Sequence, residues 1–235
     1  MMLMAAMLIA SVAASAQESL LPEKNSIGVE INSTFNATVG VRARYFATKN
    51  DAIRLGIGFN SDNQKDSGEN IATNGDKDEW NYKNKKSEFT FGLGYERHFT
   101  AGKRVSPYVG AEFKFIKLSR SASEEDTFIP VGGASTTDKV TISNANRDWA
   151  TGGIGERAQA GIGFNVFAGM DVYVWKGFYA GVELGLGLQT LKEKDVTVER
   201  TPAGGLITKT EDEGTIRTTK AGFFAQPLLR IGYTF

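Results

Sequence analysis

A strict period-two alternation, repeated in eight separate segments, constrains this chain more than any other feature. Ile27, Val29 and Ile31 alternate with Gly28, Glu30 and Asn32. Val39, Val41, Ala43 and Tyr45 alternate with Gly40, Arg42, Arg44 and Phe46, and Ile53, Leu55, Ile57 and Phe59 with Arg54, Gly56, Gly58 and Asn60. Phe89, Phe91, Leu93 and Tyr95 stand against Glu88, Thr90, Gly92, Gly94 and Glu96. Val109, Ala111, Phe113 and Phe115 stand against Tyr108, Gly110, Glu112 and Lys114. Three further segments run from Ile162 to Val174, Phe178 to Leu188 and Phe223 to Phe235. Successive side chains of a strand point to opposite faces, so each segment sets one face in an apolar medium and the other in a polar one. After the first residues, no stretch has the roughly 18 consecutive apolar residues of a membrane helix.

The connections also differ in kind. A tight link near Phe35-Asn36 and short turns at Thr48-Lys49-Asn50-Asp51, Thr100-Ala101-Gly102-Lys103 and Lys176-Gly177 contrast with long polar excursions at 61–86, 121–156 and 191–218. Short turns on one rim and long loops on the other are the arrangement of outer-membrane barrels.

Eight alternating strands suit two architectures. A soluble up-and-down barrel of the lipocalin kind turns its apolar face inward around a ligand. A membrane barrel turns that face out to lipid. The polar face decides between them. It holds glycine and charges of both signs: Glu30, Glu88, Glu96, Glu112, Asp171 and Glu183 against Arg42, Arg44, Arg54, Lys114 and Arg230. The chain has 27 glycines in 235 residues, above the usual share of about 7%. A soluble surface has little use for repeated glycine, whereas a narrow lumen needs it to make room for large polar side chains. The reading is all-β: an eight-stranded antiparallel up-and-down transmembrane barrel with short periplasmic turns and long extracellular loops.

Met1 to Val12 is an uncharged apolar run followed by Ala13-Ala14-Ser15-Ala16-Gln17. It is shorter than the ~20 residues of a spanning helix. Ala14 and Ala16 fit an A-x-A cleavage site, so residues 1–16 read as a secretory signal peptide, although no Lys or Arg precedes the run. Residues 17–235 are then the barrel domain, and Gln17 in place of Cys gives no lipoprotein anchor.

The chain ends Leu229-Arg230-Ile231-Gly232-Tyr233-Thr234-Phe235, with Leu229, Ile231, Tyr233 and Phe235 on one strand face. This pattern resembles the signal that outer-membrane barrels present to their assembly machinery. Val41-Arg42-Ala43-Arg44-Tyr45-Phe46, a polar turn and Ile53-Arg54-Leu55-Gly56-Ile57-Gly58-Phe59 resemble the small outer-membrane β-barrel domain of Bacteroidota. So do Gly94-Tyr95-Glu96-Arg97-His98-Phe99 and Pro107-Tyr108-Val109-Gly110-Ala111-Glu112-Phe113. The resemblance covers the mature chain, is similar in architecture to OmpA and OmpX, and identifies a fold without an activity. It includes no peptidoglycan-binding domain.

Near balance of the inward charges implies a salt-bridge network that fills the lumen, because an unpaired buried charge is costly. An eight-stranded barrel has room for little beyond its side chains. A selectivity path through these charges is the alternative reading.

Zero net charge argues against a nucleic-acid partner. With no cysteine and one histidine there is no disulfide framework, no thiolate or multi-histidine metal site and no cysteine nucleophile. His98 reads as a solvated or network-bonded residue on the periplasmic rim, and its neighbours Tyr95 and Phe99 as part of an interfacial aromatic belt. No catalytic residue, cofactor or metal is expected. Asn74-Gly75-Asp76-Lys77-Asp78-Glu79 has spaced oxygen ligands for calcium but lacks the EF-hand spacing. The loop 121–156 carries Phe128-Ile129-Pro130-Val131 and Trp149, and the last loop Val196-Thr197-Val198 and Leu206-Ile207-Thr208, which extend a hairpin above the membrane in one reading; exposed β-capable edges stiffen the loop or bind a partner by strand addition. The expected role is structural or surface-interacting, with outer-membrane lipid, lipopolysaccharide, the barrel-assembly machinery and surface or host factors as partners. A narrow channel for small or amphipathic solutes, as in OmpW-like barrels, is the second reading. An accessory barrel of a secretion or uptake assembly is the third.

Overall fold

The computed structural model describes residues 20–33, 39–99, 103–148, 150–212 and 217–235. The expected signal segment 1–16, the link at Phe35-Asn36, most of the turn at 100–103 and Trp149 lie outside the described residues.

Thirteen strands occur among the described residues: β1 Ile27–Ser33, β2 Val39–Phe46, β3 Asp51–Ile71, β4 Lys77–His98, β5 Val105–Ile129, β6 Thr136–Ser143, β7 Ala145–Asp148, β8 Gly153–Arg157, β9 Gln159–Trp175, β10 Phe178–Glu193, β11 Val196–Thr201, β12 Thr208–Asp212 and β13 Arg217–Thr234. Eight of them, β1, β2, β3, β4, β5, β9, β10 and β13, form an antiparallel ring that returns to its start through β13 and β1. These are the eight segments that show alternation in the sequence.

At one end of the ring the links are short. In the turn between β2 and β3, the Thr48 hydroxyl oxygen accepts the backbone N–H groups of Asn50 (3.1 Å) and Asp51 (2.9 Å). Lys176-Gly177 joins β9 to β10, with Gly177 at φ +74°, a left-handed conformation that side chains with a Cβ rarely adopt.

The other end differs from expectation. The polar excursions are mostly strand, not loop. β3 and β4 continue as one paired hairpin from Asp51↔Arg97 up to Ile71↔Lys77, leaving only residues 72–76 as its turn. β5 pairs with β9 up to Leu118↔Gln159, then exchanges that neighbour for β6 from Ser121↔Ser143 onward. Beyond the ring, β12, β11, β6 and the far halves of β5, β4 and β3 make a continuous extension of the sheet. The Val196 segment forms a hairpin between β11 and β12 and docks on β6, while Leu206 and Ile207 lie in its exposed turn. Apolar alternation records a strand with one face in an apolar medium; strands wet on both faces leave no such record. Polar pairs hold this part instead: Lys77 meets Glu69 across the hairpin (2.6 Å) and Glu79 on its own strand (2.7 Å), and the Thr127 and Thr137 hydroxyls pair across β5 and β6 (3.0 Å).

The core of the ring is inverted relative to a soluble protein. Phe113, Ile162 and Leu188 are 66%, 65% and 56% exposed on the outer face, while Arg44, Glu96 and Asp171 are 1%, 0% and 0% exposed inside. A small apolar cluster of Ala122, Ile142, Ala145 and Val196 sits in the extended sheet. The β7–β8 hairpin rests on the sheet face continuous with the ring interior, where Asn84 pairs with the N–H and C=O of Arg147 (both 2.9 Å) as a strand would.

Candidate functional site

The ring interior is the candidate site, and its two halves differ. Toward the short-turn end, β1 supplies Glu30, β2 Arg42 and Arg44, β3 Arg54, β4 Glu96, β5 Glu112, β9 Asp171, β10 Glu183 and β13 Arg230, each at an inward position of its strand. Arg42 pairs with Glu30 (2.9 Å) and Glu183 (3.5 Å). Arg44 reaches Asp171 (2.7 Å), Glu96 (3.2 Å) and Glu30 (3.4 Å). Arg54 reaches Glu112 (2.7 Å), Glu183 (2.8 Å) and Glu96 (3.1 Å). Arg230 bonds Asp171 closely and lies 3.4 Å from Glu183. Every carboxylate here is met by more than one donor, the condition under which burying a charge is tolerable.

Lys114 sits at the margin, 3.2 Å from Glu112 and about one-third exposed. Glu88 faces the open half and makes no ion pair among the described residues, so the eleven charges on the inward face divide into a linked cluster and one that stands apart.

Rings that the sequence argument left out of the site complete the cluster. The Tyr179 hydroxyl donates to Glu30 (2.7 Å) and the Tyr108 hydroxyl to Glu183 (3.0 Å). The Arg54 guanidinium lies 3.5 Å over the Phe167 ring, Arg44 4.5 Å over Tyr179 and Arg230 4.6 Å over Tyr108. These cation–π contacts strengthen where water is excluded. The usable signal was parity: alternation puts Phe46 and Tyr108 on the charged face whatever their residue type. Glycine provides the space. A Cβ at Gly94 would lie 3.0 Å from Arg54 Cγ, one at Gly232 would lie 2.8 Å from Glu30 Cβ, and Gly110, Gly169 and Gly232 lie under the rings of Phe167, Tyr108 and Tyr179.

Of its two expected settings, solvated or network-bonded, His98 takes the second. It is 2% exposed, with Nε2 3.0 Å from Glu96 and Nδ1 2.9 Å from Ser106 Oγ, between the Phe46 and Tyr108 rings. Ser106, His98 and Glu96 have the connectivity of a nucleophile–base–acid triad. However, Ser106 is itself buried, Glu96 is taken up by Arg44 and Arg54, and the interior cavity does not reach the serine.

Toward the extended end the interior is hollow. A cavity of about 280 Å³ has Arg42, Arg54, Glu112 and Glu183 at its floor and Gly56, Gly58, Gly92, Gly163 and Gly185 in its walls. In the turn of the β3–β4 hairpin, the Asp76 carboxylate accepts the Val131 N–H (2.9 Å) and the Asn74 amide (2.7 Å), so the calcium-like stretch is engaged in holding its own turn. Leu229, Ile231, Tyr233 and Phe235 are exposed on the outer face at the C-terminal end of β13.

The chain is similar to the N-terminal β-barrel domain of Pseudomonas aeruginosa OprF, with 18% identity over 91% of this chain and 100% of that one and a TM-score of 0.46. It is also similar to a major outer membrane protein from Thermus thermophilus, with 14% identity over 89% and 99% of the two chains and a TM-score of 0.44. No curated protein matches it. The family match runs over residues 25–235, nearly the whole chain: this protein belongs to the OmpA-OmpF-like porin family.

Proposed function

We propose that the chain is an integral outer-membrane protein whose ring is a closed transmembrane barrel, and that its role is structural and surface-interacting. The observation that carries this reading is the inversion of the ring, with apolar side chains exposed all round and arginines and carboxylates buried at its centre. Water-soluble monomers rarely expose contiguous apolar patches above a few hundred Å². Each large apolar side chain left in water forgoes about 1.5–3 kcal/mol. A lipid surround removes that cost. Family membership supports the same location.

In this reading the short links face the periplasm and the extended sheet faces the exterior, where it meets lipopolysaccharide, surface proteins or host factors. Residues 1–16 are a cleaved signal, and Leu229, Ile231, Tyr233 and Phe235 are the assembly signal. The strand habit around Arg44-Tyr45-Phe46 supports grouping it with the barrels of Bacteroidota. We read the barrel as non-catalytic, because the Ser106–His98–Glu96 chain has no space for a substrate.

The charge cluster plugs the lumen at the short-turn half. Conductance in planar bilayers tests this: the full-length protein gives no steady current, and steady, sizeable single-channel currents would overturn the plugged reading. The hollow half favours the second reading, a narrow path for small solutes, and such currents would establish it.

A further inference from the structure

The outer face of β3, β4 and β5 changes chemistry in ordered rows above the apolar band. Phe59 and Phe89 are paired across β3 and β4, and Phe89 is paired with Lys117 of β5. Next come Ser61, Ser87 and Ser119, then Asn63, Lys85 and Ser121, then Lys65, Lys83 and Ser123. Above these lie Glu69 and Glu79, bound to Lys77. All these positions share the parity of the outward phenylalanines. Lys65, Lys83, Lys85 and Lys117 are exposed and make no ion pair among the described residues.

Lys65 and Lys83 stand directly opposite each other, with Cβ atoms about 5 Å apart, an arrangement that is destabilising for like charges. Lys85 is two residues along the same strand, about 7 Å away. The acids nearest this face do not answer them. Glu125 is opposite Asn81, Glu199 lies beyond Ser123 and Thr141, and Asp62 and Asp66 have the opposite parity. Apolar, hydroxyl, cationic and acidic rows thus succeed one another along the strand axis. The basic stretch begins in the row of the last phenylalanines, at Lys117, and ends six residue pairs along the strands from it, at Lys65 and Lys83, so it opens directly at the edge of the apolar band.

We propose that Lys65, Lys83, Lys85 and Lys117 form a docking surface for a phosphate-bearing lipid headgroup of the surrounding leaflet. The proposal rests on the reading that the apolar band faces lipid. Adjacent anionic phosphates relieve the Lys65–Lys83 repulsion, while the acyl chains lie along Phe59, Phe89 and Phe115. The acidic row above closes the basic stretch.

The test uses the full chain in two formats. Lipid A is titrated into protein held in non-ionic detergent micelles and bound lipid is counted by native mass spectrometry; insertion into phosphatidylcholine vesicles is measured in parallel. A basic residue near a charged surface contributes about fivefold in affinity. Each single Lys→Gln variant therefore loses roughly fivefold and the quadruple variant roughly six-hundredfold. The quadruple Lys→Arg variant keeps lipid A, and added salt weakens binding to the wild type. Equal retention of lipid A by wild type and the quadruple Gln variant, with both inserting normally, would overturn this proposal alone. Displacement of lipid A by equimolar inorganic phosphate would also overturn it, since the site would then be one for free phosphate. If neither protein inserts into vesicles, the membrane reading fails first and this proposal with it.

Discussion

The two halves of the ring interior are built on the same eight strands and the same alternation, yet one is packed and the other is hollow. In the packed half, glycines are neighbours of large groups: Gly94 of Arg54, Gly169 of Tyr108, Gly232 of Tyr179. In the hollow half, Gly56, Gly163 and Gly185 would set a Cβ no closer than about 3.5 Å to any side chain, whereas Gly40, Gly58 and Gly92 stand against Asn32, Thr90 and Glu112. Occupancy of this ring is therefore decided by what stands next to each glycine, and strand number alone does not decide it. The same residue type serves as clearance at Gly94, Gly169 and Gly232 and as void at Gly56, Gly163 and Gly185.

The strongest way to break the packed half is to remove one cation. Arg230→Met leaves Asp171 and Glu183 short of a partner in a fully buried setting. Breaking a buried pair on one side costs about 3–5 kcal/mol. Urea unfolding in detergent, read by tryptophan fluorescence, should show that loss, and an unchanged midpoint would contradict the network's role.

A smaller effect sharpens the contrast between the halves. Gly232→Ala puts a methyl 2.8 Å from Glu30 Cβ and into the Tyr179 ring. Overpacking of this kind costs about 1–3 kcal/mol. Gly56→Ala meets nothing nearer than Arg42 Nε at 3.8 Å and should stay within about 0.5 kcal/mol. Equal unfolding midpoints for the two variants would erase the distinction.

The smallest effect lies outside the ring. In the β7–β8 hairpin, the Thr151 hydroxyl (2.8 Å) and the Ala150 N–H (3.0 Å) hold the Asp148 carboxyl below the usual carboxylate range. A depressed folded value means that the turn is stabilised above the ordinary carboxylate pKa of about 4. That stabilisation disappears as pH falls through the lower folded value. The carboxyl carbon shift of Asp148 should titrate below that of an exposed aspartate while the ring stays intact; titration at the ordinary value would contradict the turn geometry.

Legibility in the sequence followed the medium each strand meets. Where one face meets an apolar environment, as in Ile53–Phe59 or Phe89–Tyr95, period two marks the strand and its faces. Where both faces meet water, as from Ser61 to Ile71, nothing periodic survives, and strands more than twice the expected length read as loops. His98, the last residue of β4 beside the short turn, takes the network-bonded one of its two expected settings, on Glu96 and Ser106. The rings of Tyr108 and Tyr179 were absent from the expected site, because residue type alone does not mark an aromatic ring as a partner for buried charge.

The sequence by itself determined which residues share a face, because side-chain parity along a strand is a property of the covalent chain. It also determined where glycine would leave room, and that apolar and charged faces are separated. Only the tertiary structure decided which arginine meets which carboxylate. That choice depends on strand stagger around the ring, which brings Arg44 of β2 to Asp171 of β9 across 127 residues of sequence. It also decided that Glu88 stands apart, that β5 leaves β9 for β6, and that four lysines gather above the last phenylalanines, all consequences of register that no single strand encodes.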